Sequence, residues 1–203
     1  MIRHGLPVRH EVEVGAADPE LSEIGRRQAE HLATYLAAEG VDAICSSPLR
    51  RARETAAPLA RATGIGCSVV DDVAEGDRGS SSYVPIEELR ATNDPRWQAI
   101  VRDGLDLGDE TPQDFSRRVV DAVEGIVARH PGVKVAVVCH GGVINAWLCH
   151  VLGLPPQHAL LYPFYTGIHR FAASRSGHRT VVTVNETAHL RGTGLPIGLD
   201  RFA

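Results

Sequence analysis

Two histidines sit far apart in this chain, and each closes an apolar run and precedes glycine. His4 lies in Met1-Ile2-Arg3-His4-Gly5, and His140 in Val135-Ala136-Val137-Val138-Cys139-His140-Gly141-Gly142-Val143-Ile144. An imidazole that is neutral near pH 7 can attack as a nucleophile or pass a proton, so either residue could carry chemistry. The second run has the form of a buried strand entering a helix through two glycines. That form puts His140 beyond the carboxyl end of a strand, where open α/β sheets bind ligands and where helix N–H groups face an anion. A third stretch, Ser46-Ser47-Pro48-Leu49-Arg50-Arg51-Ala52-Arg53-Glu54-Thr55, repeats the strand-to-helix form and adds arginines. A guanidinium presents a planar fork of donors that matches phosphate oxygens. Arg50 and Arg53 share one helical face and Arg51 diverges from them, so spacing alone does not select among the three. Each signal is weak by itself, because a histidine at a terminus or a strand-helix junction and a solvated arginine face are ordinary structural features. A cleft that gathered all three would suit a phosphate group.

Metal chemistry has less support. The chain holds ten histidines and four cysteines (Cys45, Cys67, Cys139 and Cys149), but no C-x-x-C, H-x-x-x-H or H-E-x-x-H spacing. The dipeptides Cys139-His140 and Cys149-His150 have no paired ligands nearby. Three of the cysteines fall in or beside apolar runs and read as reduced packing residues. Neither a metal nor a cofactor is expected.

The elements that must position these residues are readable from periodicity. Leu21 to Ala38 carries Ile24, Ala29, Leu32, Ala33 and Leu36 at helical spacing, with Ser22 as N-cap and Gly40 as stop. Val41 to Cys45 predicts a strand, and Pro48 opens an Ala- and Arg-rich helix running to Ala62. Cys67 to Val70 predicts a short strand, and Pro112 to Arg129 repeats the helical period through Phe115, Val119, Val123, Ile126 and Val127. Val133 to Val138 is apolar almost throughout, as expected of a strand covered on both faces, and Val143 to Leu152 is helical. Ile168 to Ala173 and Thr180 to Val184 would close the sheet. Alternating strands and helices predict an α/β fold with a mainly parallel central sheet covered on both faces. From about 71 to 111 the pattern loosens, with short helices near 85–91 and 95–103. Such a segment reads as a lid or binding loop.

At 203 residues the chain can form one sizeable core, so a single domain over 1–203 is expected. A composition of 43% hydrophobic and 23% charged residues excludes disordered and collagen-like chains. No run approaches the ~18 apolar residues of a membrane span, and no basic region followed by an apolar stretch opens the chain. A cytoplasmic location away from membranes is the expectation. The net charge of −4, with basic residues scattered, argues against nucleic acid as a partner.

In the order and spacing of four motifs the chain resembles the histidine phosphatase superfamily, also called phosphoglycerate mutase-like. The motifs are Arg3-His4-Gly5, Leu21-Ser22-x-x-Gly25-x-x-Gln28-Ala29, Ser47-Pro48-Leu49-x-Arg51-Ala52-x-x-Thr55-Ala56 and Val138-Cys139-His140-Gly141-Gly142-Val143, and they cover most of the chain. The resemblance implies a three-layer α/β/α sandwich. It implies that His4 is the nucleophile, transiently phosphorylated, and that the second catalytic arginine is Arg51. Arg3, Arg51 and His140 would surround the transferring oxygens, with Gly5 and Gly141 beside the phosphate and no metal ion required. Many phosphatases of this family draw their proton donor from an apolar residue, any residue, Glu, three residues, then Gly. Val73-Ala74-Glu75-Gly76-Asp77-Arg78-Gly79 matches, which points to Glu75 as general acid, with Asp77 as competitor. Tyr83 and the Pro85 to Leu89 stretch would form a substrate wall.

The implied activity is metal-independent hydrolysis of a phosphomonoester through a phosphohistidine, with a small phosphorylated metabolite as partner and a homodimer left open. Two alternatives stand beside it: a cofactor-dependent phosphoglycerate mutase, and a catalytically weak member that binds or senses a phosphorylated ligand. Only Met1 and Ile2 precede Arg3, whereas the family's first strand is several residues long. Either the start lies upstream or the strand is a stub, and an abbreviated start is the expectation. Leu6-Pro7-Val8-Arg9-His10 stands where the mutases and several sugar phosphatases have Glu/Gln, Ser/Thr and Asn positions. The mutases also use a longer insertion, so hydrolysis is favoured.

Overall fold

A computed structural model describes residues 1–103, 107–156 and 160–198. Its strands are β1 (Ile2–Arg3), β2 (His10–Glu11), β3 (Ala43–Ser46), β4 (Cys67–Val69), β5 (Ser82–Tyr83), β6 (Val135–Cys139), β7 (Ile168–Ala173) and β8 (Arg179–Glu186). The helices are α1 (Glu23–Glu39), α2 (Arg50–Thr63), α3 (Ile86–Ala91), α4 (Pro95–Asp103), α5 (Pro112–Arg129) and α6 (Gly141–Leu152). The main sheet runs in the order β4-β3-β6-β1-β7-β8. Pairing is parallel from β4 to β1 and antiparallel on to β7 and β8. The expected mainly parallel sheet is therefore present, with an antiparallel flank.

The strands alternate their side chains between two cores, as the two-residue strand period requires. Ile44, Ala136 and Val138 face α1 and α2, where Leu32, Leu36, Ala52 and Leu59 bury. Cys45, Val137 and Cys139 face α5 and α6, where Phe115, Val119, Val143 and Trp147 bury. The layers are thus helix, sheet, helix.

The elements form where the periodicity places them, with small shifts at their ends. Ser22 caps α1 by accepting the Gly25 N–H, and Gly40 closes it with φ at 75°. The main shift is in α6, which begins at Gly141 instead of Val143, so that His140 is itself the N-cap residue. Val133 lies exposed ahead of β6. The loosened segment holds short 3₁₀ turns at Asp71–Val73 and Gly76–Gly79, then β5, α3 and α4. Its residues 104–106 lie outside those described. The periodicity gave no sign of the two-stranded sheet that β5 forms with β2, with His10 opposite Tyr83 and Glu11 opposite Ser82. That ribbon ties the loop after His4 to the substrate wall.

Strand β1 lies inside the sheet although only Ile2 and Arg3 belong to it. Ile2 pairs with Val138 on one side and Ile168 on the other. The Met1 ammonium donates to the His169 carbonyl at 2.7 Å, and the His169 N–H donates back to the Met1 carbonyl at 2.8 Å. No helix among the described residues is long and apolar enough to cross a membrane.

Candidate active site

Parallel pairing of β1, β6 and β3 brings three carboxyl ends to one edge of the sheet. His4 follows β1, His140 follows β6, and Ser47 follows β3 just before the helix that carries Arg51. All five catalytic candidates (Arg3, His4, Arg51, Glu75 and His140) are buried there.

The His4 loop is fixed from several sides. The His4 N–H donates to the Cys139 carbonyl at 3.0 Å, and the Gly5 N–H donates to Thr55 Oγ1 at 2.9 Å. Leu6 N–H donates to Gln28 Oε1 at 2.8 Å, and the Ser22 hydroxyl donates to the Leu6 carbonyl at 2.8 Å. Gly25 is required by contact: a Cβ there would stand 2.1 Å from the Leu6 carbonyl oxygen, and one on Gly5 would stand 2.7 Å from the Gly25 oxygen. The second and third motifs of the sequence are thus largely clamps on the first.

His4 Nδ1 lies 2.8 Å from the carbonyl oxygen of its neighbour Gly5. A carbonyl only accepts, so Nδ1 carries the proton and Nε2 keeps a lone pair. Burial, followed by the charges of Arg51 and Arg3, holds the His4 pKa well below its ordinary value. The ring is a neutral base near pH 7. His140 packs against it with ring centroids 5.2 Å apart. Ser47 Oγ takes the Leu49 N–H at 3.3 Å and sits 2.7 Å from His140 Nε2. With the serine hydroxyl as donor to Nε2, the imidazole proton is on Nδ1. That Nδ1 and the Arg51 Nε are buried without a hydrogen-bond partner among the described residues. Both atoms lie in the group of residues around His4, where an anion could accept from the Arg51 Nε–H.

The arginines are shared between the site and its wall. Arg51 is buried while Arg50 and Arg53 are exposed, which decides the question the helical spacing left open. Arg51 donates to Asp77 at 2.7 Å and lies over the Tyr83 ring, 4.6 Å from its centroid. Arg3 donates to the Pro163 carbonyl at 2.8 Å and stacks 4.0 Å from the Tyr165 ring centroid. Glu87 stands 3.8 Å from Arg3 and accepts the hydroxyls of Tyr162 and Tyr165, the latter at 2.6 Å.

Glu75 lines the same cavity as His4, from the 3₁₀ turn region. Its carboxyl accepts the Gly142 N–H at 2.7 Å and the Gly76 N–H at 3.2 Å. Burial and then the charge of Asp77 push it up to about 7, against the pull of those two N–H groups and Arg51. Asp77, the competitor for the proton-donor role, is committed to Arg51. Among the described residues no group of three or more His, Cys, Asp and Glu side chains is placed to hold a metal ion.

Arg3, His4, Arg51 and Glu75 line a cavity of about 590 Å³, whereas His140 packs against His4 and does not line it. Gly141 lines the cavity, whereas Gly5 is buried in the loop after His4 and does not. Sequence reasoning missed Tyr162, Tyr165 and Asn145, whose side chain bonds both the N–H and the carbonyl of Leu161. The aromatic cluster Tyr162-Pro163-Phe164-Tyr165 just before β7 was the available signal.

This α/β/α architecture, with two histidines and two arginines at the carboxyl edge of its sheet, defines a class. The chain belongs to the histidine phosphatase superfamily (branch 1), whose family model matches residues 1–187. It is 28% identical over 179 residues to phosphoserine phosphatase 1 of Hydrogenobacter thermophilus, covering 87% of this chain and 85% of that one. A bifunctional protein of Mycobacterium tuberculosis is 31% identical over 199 residues, covering 94% of this chain, which spans 54% of that protein. Among solved structures, a mycobacterial glucosyl-3-phosphoglycerate phosphatase in complex with inorganic phosphate superposes with a TM-score of 0.72 at 28% identity, covering 93% of this chain and 97% of that one.

Proposed function

We propose that this chain is a phosphomonoester hydrolase that acts on a small phosphorylated metabolite through a phosphohistidine at His4. The phosphatases among its relatives support the class of reaction. The observation that carries the reading is geometric: His4, its Nδ1 held by the Gly5 carbonyl, and Glu75 line one cavity with Arg3 and Arg51, in surroundings that push His4 down and Glu75 up to about 7. Groups pushed apart in this way divide into base or nucleophile and acid.

His4 Nε2 attacks phosphorus. The bond to the ester oxygen breaks, and that oxygen takes the Glu75 proton and leaves as the alcohol. Arg3 and Arg51 stabilise the charge spread over the equatorial oxygens, and the His140 Nδ1–H donates to one of them. In the second half, the Glu75 carboxylate takes a proton from water as the water oxygen attacks phosphohistidine. Inorganic phosphate leaves and both residues return to their starting states. No step calls on a metal ion, so activity should persist in excess EDTA.

The experiment is a phosphate-release assay on p-nitrophenyl phosphate and a metabolite panel, with a parallel arm of 3-phosphoglycerate plus bisphosphoglycerate. Phosphate release at catalytic rates supports the hydrolase. Interconversion of phosphoglycerates faster than phosphate release would make the chain a mutase, and no turnover on any ester would make it a binding member of the family.

A further inference from the structure

Beyond the phosphate-binding end, the cavity changes character. Its outer wall comes from β5 onward, the two short helices after it, and the loops before α5 and β7, and it presents Val84, Ile86, Leu89, Ile100, Leu107 and Leu161. The polar groups interleaved with them are already engaged. Arg96, the cation in this part of the lining, is held by Asp94 through Nε at 3.0 Å and Nη2 at 2.7 Å. The Ser80 hydroxyl donates to the Ser82 carbonyl at 2.9 Å, and the Tyr162 hydroxyl donates to Glu87. Asn145 is occupied by Leu161, and Asp77 by Arg51. Tyr83 is a neutral phenol, with burial pushing it up to about 12.

A substrate with a second negative charge near its phosphate would be poorly served here. The carboxylate of a phosphoamino acid or phosphoglycerate would meet Asp77 and the apolar wall, while Arg3 and Arg51 are taken by the phosphate and Arg96 is paired with Asp94. Stranding a charge in such a pocket is costly, whereas an apolar group gains from leaving water. At about 590 Å³ the space also exceeds what a phosphate and a three-carbon unit would fill.

Resting on the hydrolase reading above, we infer that the substrate is the phosphomonoester of a predominantly apolar alcohol, aryl or branched alkyl, whose only negative charge is its phosphate. The six side chains named above would hold the alcohol portion. This sets the chain apart in specificity from the phosphoserine and glucosyl-phosphoglycerate phosphatases it resembles.

The test is kcat/KM of the purified full chain for n-alkyl phosphates from methyl to octyl, held below their micelle concentrations, with naphthyl phosphate, phosphoserine and 3-phosphoglycerate alongside. Each methylene that enters the apolar wall should raise kcat/KM by about fourfold until the wall is filled, mostly through KM. Naphthyl and octyl phosphate should exceed both carboxylate-bearing esters by at least about a hundredfold, the gain of some three to four buried methylenes. Ile100→Asp should flatten the chain-length slope. The wild-type series decides the matter even if that variant misfolds. Turnover with a flat slope, or preference for phosphoserine or 3-phosphoglycerate, overturns this specificity and leaves the hydrolase reading intact. Absence of turnover on every ester, methyl and naphthyl included, removes both.

Discussion

At the residue scale the account turns on Glu75, which stays where it is because Gly142 has no side chain. A Cβ on Gly142 would stand 2.4 Å from Glu75 Oε1, and the Gly142 N–H is the carboxyl group's shorter hydrogen bond, at 2.7 Å. Gly142→Ala should therefore lower turnover of unactivated esters about as much as Glu75→Gln, by roughly 10²–10⁴. Activated p-nitrophenyl phosphate, whose leaving group needs little protonation, should lose far less in both variants. Equal losses for both kinds of ester would remove Glu75 from the acid role. The pH dependence has a definite sign. Glu75 is protonated below about 7, so kcat for esters with poor leaving groups should fall as pH rises through 7, and Glu75→Gln should lose that limb. The folded protein also holds this proton between 4.5 and about 7 where the unfolded chain does not. Its stabilising contribution is full below 4.5 and is lost as pH rises through 7. Melting curves at pH 8 should place Glu75→Gln above the wild type, an advantage that disappears at pH 4.5.

At the scale of elements, the N-terminal end of α1 is as much a part of the site as the strand that carries His4. Ser22 caps that helix and also donates to the Leu6 carbonyl. Ser22→Ala should cost about 1–2 kcal/mol in urea unfolding, more than a surface substitution, because a cap and a loop anchor are lost together. Gly25→Ala should cost more still, since the Leu6 backbone has nowhere to retreat, and should lower activity in step with stability. A wild-type unfolding midpoint for Gly25→Ala would contradict the clamp. These roles explain what was legible in the sequence. Helices α1, α2 and α5 announce themselves by a 3.6-residue apolar period, and β6 by its unbroken apolar run, because burial dictates those residues. Arg51 could be separated from Arg50 and Arg53 only by the family resemblance or by the fold. The β2–β5 ribbon was not legible, because its strands are two residues each, too short to show an alternation. The α6 start was missed because glycine is a poor helix former, and here its absent side chain makes room for Glu75.

At the scale of the whole molecule, the chain buries more neutral imidazole than its catalysis uses. His169 sits where β1 meets β7, with burial lowering it to about 3, and His189 packs against Tyr35 and Thr166, with burial lowering it to about 4. The unfolded chain protonates these rings near 6.5 and the folded one resists. Their contribution is therefore present above 6.5 and is lost as pH falls toward 4 and 3. In Glu75→Gln, which removes the carboxyl that acts in the opposite sense over this range, urea unfolding at pH 4.5 should show stability lower than at pH 7 by on the order of 5 kcal/mol from this pair. A flat profile in that variant would mean that the rings are open to water. The same burial surrounds His4, and it is the condition on which the chemistry depends: a neutral ring, its Nδ1 proton held by Gly5, its Nε2 free. The most direct test is therefore rapid acid-free quenching of the intact protein during turnover of p-nitrophenyl phosphate, followed by mass mapping of the label. The account predicts one acid-labile, alkali-stable phosphate on His4, absent in His4→Ala along with activity. A label on another residue, or turnover that survives His4→Ala, would contradict it.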